Sequence, residues 1–184
     1  MSGKPANFQT GYQPEEHGGE KSDVQSDVQS DVQSDESLKA LLESAKTIAV
    51  VGIKDGEQED AFRIPQYLQK AGYRIVPVNP KLASVLGEPC KASLSQVLSQ
   101  VLSQVLSQVD GAIDIVNLFR ASEHVPAHVD EILAMKPRPK VVWMQLGIHH
   151  GPSAQRLRDA GIEVVQDRCI MVDHRRLLGV RSAP

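Results

Sequence analysis

The sequence predicts a three-layer α/β fold, in which a doubly wound parallel sheet carries helices on both faces. Residues 47–54 form a short apolar run, rich in β-branched side chains and closed by Gly52, which is typical of a strand buried on both faces. Residues 64–71 carry apolar side chains at helical spacing, and 74–78 form a second short strand. A strand, a helix and a strand within about thirty residues make a βαβ unit, whose crossover requires parallel strands.

Strands and helices continue to alternate along the chain. Pro137 and Gly161 each mark the end of a predicted helix, because proline interrupts a helix and glycine favours its C-terminal cap. This alternation supports the doubly wound assignment. The predicted elements are strands at 112–119, 141–144 and 162–165, helices at 125–135 and 153–160, and a closing segment at 169–178 that is helical from Asp173.

The first 35 residues differ in composition from the rest of the chain. Residues 1–35 are rich in Gly, Pro, Gln, Glu and Ser, and the tetrad Ser-Asp-Val-Gln recurs within 22–33. A segment with so few apolar side chains cannot offset its ordering entropy, so we expect a disordered or loosely docked arm. The folded domain is expected to span 36–184 and to open with a helix capped by Ser34 or Ser37.

A second repeat, Val-Leu-Ser-Gln, occupies 97–108. Its period of four turns the apolar pair by roughly 40° per copy around a helix. Three copies therefore predict an amphipathic crossover helix with a slowly drifting apolar stripe, and Ser93 is its expected cap. A stripe that mediates dimerisation is the alternative, and a homo-oligomer is left open.

Composition limits the classes of function. A chain of 184 residues allows one α/β domain with a tail, and a net charge of −3 argues against a general nucleic-acid or membrane-surface binder. No apolar run reaches the length of a transmembrane helix, and the N-terminus is polar. Two cysteines, Cys90 and Cys169, fit a reduced protein better than a disulfide scaffold. The expected location is the cytoplasm, with neither a nucleic-acid nor a membrane partner.

Polar residues follow several of the predicted strands. Lys81, Arg120, Gln145 and Arg168 each lie at or just beyond the end of one strand. Because parallel strands bring their carboxyl ends to one edge, we expect these side chains to line a ligand crevice there. The first loop, 52–56, has an incomplete Gly-x-Gly-x-x-Gly pattern, and the chain has no Walker-type sequence, which disfavours ordinary NAD or ATP binding.

Five segments together resemble a known family, the small bacterial CoA-binding proteins. These are single Rossmann-like domains similar to the CoA-binding domain of the succinyl-CoA synthetase α subunit. The resemblance covers roughly 47–176 and implies a Rossmann-like fold that holds coenzyme A across the carboxyl edge of the sheet. The segments are Val51-Gly52 with its loop, Gly-Tyr-Arg-Ile-Val-Pro-Val-Asn-Pro-Lys at 72–81, Phe119-Arg120, Trp-Met-Gln-Leu-Gly-Ile at 143–148 and Asp-Arg-Cys at 167–169.

The resemblance also implies which residues hold the cofactor. Gly52, Ile53 and Lys54 would approach the pyrophosphate through backbone amides at a helix terminus. Lys81 would neutralise a phosphate as a point charge. The other predicted cofactor-binding residues are Arg63 beside the first loop, Phe119, Arg120 and Ala121 along the pantetheine arm, Gln145 and Gly147 at the far wall, and Cys169.

The first loop departs from the family pattern, which has a Ser soon after the Gly and a Pro and a basic residue further on. Here Lys54, Glu57 and Glu59 take those places, with Asp55 and Asp60 beside them. Four carboxylates near a polyphosphate lower its affinity through like-charge repulsion, and this effect weakens where they point to water. The positive charges of Lys54 and of Arg63, which is beside this loop, offset part of this repulsion.

Cys169 has two interpretations. The neighbouring cation of Arg168 would lower the thiol pKa and favour a mixed disulfide with coenzyme A, whereas the alternative is a small buried residue near the sheet edge. His124 and His128 stand at i and i+4, but without a Cys or a third partner we interpret them as a solvated helix face. No catalytic residue and no metal site is therefore predicted.

The favoured function is non-catalytic binding of coenzyme A or an acyl-CoA. One alternative is an enzyme, and an NAD-type oxidoreductase would need an acidic residue after the second strand, where Asn79 stands. An acyl-CoA ligase would need an ATP-grasp domain, for which the chain is too short. The last alternative is an adaptor in which the acidic first loop has abolished ligand binding.

Overall fold

The computed structural model describes residues 34–97 and 112–179 and contains a five-stranded parallel sheet with helices on both faces. The arm up to residue 33, and the Val-Leu-Ser-Gln repeat after Val97, lie outside the described residues. The strands are β1 (Thr47–Val51), β2 (Arg74–Val78), β3 (Ser84–Val85), β4 (Glu88–Pro89), β5 (Ile115–Leu118), β6 (Val141–Met144) and β7 (Glu163–Val165). The helices are α1 (Asp35–Ser44), α2 (Asp60–Lys70), α3 (described over 94–97), α4 (Pro126–Ala134), α5 (Gly151–Asp159) and α6 (Ile170–Leu178).

The strand order confirms the doubly wound fold. The main sheet runs β2-β1-β5-β6-β7, and each neighbouring pair is parallel. The chain moves outward from β1 to β2 and then crosses to the other side of β1 to form β5. The order therefore reverses between β1 and β5, and ligands in such sheets bind at the carboxyl end of that switch point.

Alternate side chains of each strand enter two separate cores. In β6, Val141 and Trp143 pack with the apolar faces of α1, α2 and α6, whereas Val142 and Met144 pack with α3, α4 and α5. All four side chains are buried. Burial of such a side chain stabilises the fold by about 1.5–3 kcal/mol, which explains why these strands are continuous apolar runs rather than alternating ones.

Local sequence signals set several helix starts as predicted. Ser34 caps α1, and its Oγ accepts a hydrogen bond from the Ser37 amide at 3.2 Å. Ser93 caps α3 in the same way, accepting from the Gln96 amide at 3.3 Å. The closing helix α6 begins at Ile170, three residues before the predicted start.

The hairpin of β3 and β4 was not predicted. Its turn places Leu86 at φ 55° and Gly87 at φ 79°, both in the left-handed region. Such turns favour Asn-Gly or Asp-Gly, and a leucine in the first position gives no sequence signal for one. Gln69 of α2 donates to the Leu86 carbonyl at 3.0 Å and so holds the turn against the helix. None of the described helices is long and apolar enough to cross a membrane.

Asp114 ties the amino ends of three strands together. Its Oδ2 accepts hydrogen bonds from the amides of Lys46 (2.8 Å) and Thr47 (3.1 Å) at the start of β1, and its Oδ1 lies 2.9 Å from Nζ of Lys140, just before β6. Partial burial acts to raise the pKa of this carboxyl group. The two amides and Lys140 outweigh burial and hold the pKa of Asp114 below its ordinary value.

We expect Asp114→Asn to lower the free energy of unfolding by about 1–2 kcal/mol at neutral pH, because charge-assisted hydrogen bonds become neutral ones. The folded carboxyl has a lower pKa than the unfolded one. Its contribution is therefore complete above about pH 4 and is lost as the pH falls through the lowered pKa. Urea denaturation of the variant and the wild type at a series of pH values measures the difference in their free energies of unfolding.

Asp159→Asn is the matched control for Asp114→Asn. Asp159 is exposed and accepts from the side chain of Gln155 at 2.8 Å, so its replacement should change stability by less than about 0.5 kcal/mol. If the difference in free energy of unfolding between Asp114→Asn and the wild type does not change as the pH is lowered, the charge of Asp114 does not hold the strands together.

Candidate functional site

The carboxyl ends of β1 and β5 approach each other closely at Gly52. Gly52 has φ 82°, and a Cβ built on it would lie 2.5 Å from the carbonyl oxygen of Phe119 and 2.8 Å from Cδ of Arg120. Its amide donates to Val78 at 2.9 Å, and the amide of Phe119 donates to Val51 at 2.9 Å. Only glycine tolerates both this φ and this contact, so Gly52 allows the two strand ends to close at the switch point.

A cavity of about 380 Å³ opens at this edge, between the start of α2 and the ends of β5 and β6. Small-molecule sites have volumes of about 300–1,000 Å³, so this cavity is large enough to hold part of a cofactor. We call it the main cavity. Its lining residues are Lys54, Glu59, Asp60, Ala61, Ile64, Phe119, Arg120, Ala121, Gln145, Leu146, Ile148 and Cys169.

Charged side chains gather where α2 begins. Lys54 forms an ion pair with Glu59, and Arg63 lies 3.6 Å from Asp60. Glu59 precedes the helix without making a side-chain cap, so the first-turn amides of Asp60 and Ala61 receive no bond from it. The amino end of a helix carries partial positive charge, and this end of the main cavity is therefore suited to an anion.

The other walls of the main cavity are apolar. Ile64 of α2 and Ile148 are buried, and Phe119 is half-buried. Leu146 is 69% exposed, unusually so for a large apolar side chain among the described residues. Apolar area left open beside a charged rim is typical of a site that receives an amphipathic ligand.

Arg120 lies between the main cavity and a second, smaller one. It lines both, is exposed, and its guanidinium makes no ion pair within the described part of the chain. The smaller cavity has a volume of about 140 Å³ and includes Gly52, Asn79, Pro80, His128 and Glu131 among its lining residues.

His128 was interpreted as part of a solvated helix face, but its ring is only 19% exposed and lies 3.6 Å from Glu131. Burial lowers the pKa of His128 and outweighs the opposite effect of Glu131. Tertiary packing of α4 over the strand ends placed the histidine in the smaller cavity, which helical spacing alone does not reveal. No cluster of three or more potential metal ligands occurs within residues 34–97 and 112–179.

A buried pair of amide side chains lies at the main cavity, and one of the two, Gln145, lines it. Gln145 follows β6 and is 3% exposed, and its Nε2 donates to Oδ1 of Asn117 at 3.0 Å. Asn117, in β5, is fully buried. The remaining side-chain atoms of the pair, Asn117 Nδ2 and Gln145 Oε1, have no hydrogen-bond partner in the described residues.

Cys169 lines the main cavity as a free, half-buried thiol and is the residue that precedes α6. The sequence suggested that Arg168 would activate it. In the structure the Arg168 guanidinium is engaged by Asp173, with Nε 2.8 Å from one carboxylate oxygen and Nη2 2.6 Å from the other. The cation of Arg168 is therefore paired with Asp173, and Cys169 lies directly before the amino end of α6.

The family of the chain follows from comparison with known proteins. Residues 46–175 match the family model of the CoA-binding domain. The chain belongs to the CoA-binding domain family. This stretch includes every strand of the main sheet and all the residues that line the main cavity.

Known relatives cover most of the chain. It is 36% identical over 137 residues to the uncharacterized protein YneT of Bacillus subtilis (strain 168), covering 74% of this chain and 91% of that protein. A structure from Thermus thermophilus has 38% identity and a TM-score of 0.67, covering 79% of this chain and 99% of that one. A hypothetical protein from Pyrococcus horikoshii OT3 has 33% identity and a TM-score of 0.69, covering 81% of this chain and 95% of that one. The similarity thus extends over about three quarters of the chain or more.

The structure brings together six of the eleven residues predicted to hold a cofactor. Gly52 lines the smaller cavity, and Ile53 is a fully buried core residue. Arg63, Lys81 and Gly147 are exposed and do not line these two cavities. The six in the main cavity are Lys54, Phe119, Arg120, Ala121, Gln145 and Cys169.

Some of the predicted contact groups are already bonded within the protein. The amide of Lys54 donates to Ala61 at 3.3 Å, and the amide of Gly147 donates to Asp167 at 2.6 Å. The amide of Gly52 is likewise taken by Val78. These amides shape the loops that border the site.

Sequence reasoning missed Asn117, Ile64 and the apolar wall at Leu146. For Asn117 a signal was present, because a lone amide interrupts the apolar run at 115–118 of a buried strand. Ile64 was assigned only to the helix core. No periodicity separates a core leucine from one that lines a cavity.

We expect Gly52→Ala to destabilise the protein more than Gly87→Ala does. Both glycines have φ near 80°, but a Cβ at Gly87 meets no atom within 4 Å, whereas a Cβ at Gly52 meets the backbone of β5. The shared strain is about 1–2 kcal/mol, and the clash adds to it only at Gly52. Urea denaturation measures both losses. Equal losses would mean that the strand ends separate freely and that the close approach is not a constraint.

Proposed function

We propose that the protein binds coenzyme A or an acyl-CoA without catalysing a reaction on it. The observation that carries this proposal is the main cavity at the switch point, which is lined by two cations, the amino end of a helix, apolar side chains and a thiol. Coenzyme A has groups that match this lining: a phosphorylated nucleotide, an apolar arm and a terminal thiol. Membership of the CoA-binding domain family supports the same ligand.

The nucleotide and its phosphates are assigned to the region around Arg120. Its guanidinium borders both cavities, so it can pair with a pyrophosphate that passes over Gly52 from one to the other. The partial positive charge at the amino end of α2 also favours the binding of phosphate groups. Lys81 follows Pro80 of the smaller cavity and is exposed, which suits a phosphate that extends from that cavity toward solvent.

The pantetheine arm is assigned to the apolar walls of the main cavity. Phe119, Ile64 and Leu146 offer carbon surface to its methylene and methyl groups, and the arm would cover the exposed side chain of Leu146. Cys169 would then lie near the terminal thiol or acyl group. Among the described residues, no histidine lines this cavity to act as a base beside Cys169, which favours binding over catalysis.

The acidic first loop is compatible with this ligand. The carboxylates of Asp55, Glu57, Glu59 and Asp60 belong to exposed residues, and the last two have Lys54 and Arg63 as partners. Exposed charges are screened within about 8–10 Å at physiological salt, so the loop weakens phosphate binding without abolishing it. An open main cavity favours a ligand-binding protein over an adaptor.

Asn79 argues against an NAD-dependent enzyme. In dinucleotide sites an acidic residue after the second strand binds the ribose hydroxyls. Here Asn79 Nδ2 donates to the Ile53 carbonyl at 2.6 Å, and its Oδ1 accepts from the Lys81 amide at 2.9 Å. The two cysteines are free in the structure, which supports the expected cytoplasmic location.

We expect coenzyme A to raise the stability of the wild type by about 2.7 kcal/mol at a hundredfold excess over Kd, and NAD or ATP to raise it less. Arg120→Ala should weaken the affinity for coenzyme A about tenfold, because it removes a charge-assisted phosphate contact. Lys81→Ala should weaken it about two- to fivefold, as expected for an exposed charge. Thermal shift and calorimetric titration measure these effects.

Lys136→Ala is the matched control, because Lys136 is exposed and lies between α4 and β6, at the opposite edge of the sheet. Its Kd for coenzyme A should equal that of the wild type. A wild type that gains no stability from coenzyme A would refute the proposed function, and an unchanged Kd for Arg120→Ala would refute the phosphate assignment.

We expect Cys169 to form a mixed disulfide with coenzyme A when the protein is treated with CoA disulfide. The Cys169 thiolate attacks one sulfur, the new S–S bond joins it to one coenzyme A, and the other coenzyme A leaves as a thiolate. Cys90 is the internal control, since burial and the nearby Asp55 raise the pKa of its thiol. Intact-mass spectrometry of Cys169→Ser and Cys90→Ser locates the adduct. An adduct that survives Cys169→Ser would place the thiol end of the ligand elsewhere.

A further inference from the structure

The buried amide pair of Asn117 and Gln145 has hydrogen-bonding capacity that the protein does not use. One hydrogen bond of 3.0 Å joins the two side chains. Asn117 Nδ2 and Gln145 Oε1 are both inaccessible to solvent and have no partner in the part of the chain that the structure describes. More than nine in ten buried polar groups are paired in folded proteins, so two adjacent exceptions require a cause.

Packing does not supply that cause. Asn117 lies beside Val50 of β1 and Trp143 of β6, in a sheet whose other buried positions are mostly aliphatic. Replacing a half-satisfied amide pair with apolar side chains of similar shape is neutral or stabilising. An amide pair at this position is therefore expected to add no stability to the unliganded domain.

The pair lies where a ligand can reach one of its members. Asn117 and Trp143 are paired in register, and Gln145 is two residues beyond Trp143, so the two amides lie on one face of the sheet. Gln145 lines the main cavity and Asn117 does not. The terminal torsion of a glutamine is soft, so the side-chain amide of Gln145 can adjust to a ligand in the cavity.

We propose that Gln145 Oε1 is the acceptor for an N–H group of the bound ligand, and specifically for a secondary amide of the pantetheine arm. This inference rests on the proposed binding of coenzyme A and names the subsite for its arm. Asn117 is a positioning residue, because its Oδ1 holds Nε2 of Gln145 and leaves the carbonyl oxygen for the ligand. In a site shielded from water such a hydrogen bond is strengthened.

The same acceptor discriminates between two kinds of group on the ligand. Phosphate oxygens are acceptors, so they would meet Gln145 Oε1 as an unfavourable partner, whereas the guanidinium of Arg120 attracts them. An amide N–H and a phosphate therefore select different residues of the main cavity. The subsite distinguishes a ligand with an amide arm from a nucleotide that has none.

The test compares two ligands on four proteins. Coenzyme A carries the arm, and adenosine 3′,5′-bisphosphate is a nucleotide probe that lacks it. Gln145→Met removes the acceptor with little change in volume, and Asn117→Leu combined with Gln145→Met removes the pair. Gln69→Met is the matched control, because Gln69 is a half-buried glutamine that donates to Leu86 away from the cavities.

We expect Gln145→Met to weaken coenzyme A about tenfold in calorimetric titration and to change the Kd of the bisphosphate less than twofold. The affinity of the double variant for coenzyme A should fall by the same factor or by a larger one. Without ligand, its melting temperature should equal or exceed that of the wild type, an outcome that a purely structural pair would not give. Gln69→Met should bind both ligands as the wild type does.

Two results would overturn the inference while leaving the proposed function in place. The first is a wild type that binds coenzyme A and a Gln145→Met variant that binds it equally well. The second is an equal loss of both ligands in that variant, which would show a general change in the cavity. A wild type that binds neither ligand would instead refute the proposed function.

Discussion

The close approach of β1 and β5 at Gly52 is the constraint on which the site depends. A side chain at this position would overlap the carbonyl oxygen of Phe119, and the backbone there has a conformation that favours glycine. Because the two strand ends meet, the residues that follow β5 pass directly beside the first loop. Arg120 is thereby carried to the boundary of two cavities rather than out into solvent.

The polarity of the main cavity follows from which elements surround it. α2 presents its amino end and the charges around Lys54, whereas β6 is followed by Gln145 and the apolar Leu146. Each feature alone is common in proteins. Their combination in one cavity, which has cations, carbon surface and a thiol, is the property that matches a phosphorylated ligand with an apolar arm.

Stability and function make opposite demands on the two edges of the sheet. At the amino edge Asp114 satisfies the amides of Lys46 and Thr47 and the ammonium of Lys140, so that its carboxylate is fully used. At the carboxyl edge the side-chain amides of Asn117 and Gln145 each keep one atom without a hydrogen-bond partner in the described residues, and Leu146 is exposed. Unused polar capacity and exposed carbon surface destabilise a free domain, and both are expected where a ligand completes the structure.

Patterns short enough to be local were predictable. The apolar run at 47–51, the caps Ser34 and Ser93 and the alternation of strands and helices depend on backbone geometry and neighbouring side chains, so they identified the layered parallel fold. The resemblance at the strand ends identified the family. The hairpin turn at Leu86 was missed because a left-handed leucine is held by a distant contact with Gln69 rather than by its own preference.

The sequence by itself determined that this chain forms a doubly wound sheet of the CoA-binding domain family, because periodicity and loop motifs are properties of short segments. Only the tertiary structure decided which residues meet. Arg168 and Cys169 are neighbours in sequence, yet the arginine pairs with Asp173 and the cysteine lines the main cavity. Asn117 and Gln145 are far apart in sequence, yet share a hydrogen bond, because adjacent parallel strands bring together side chains that no local pattern relates.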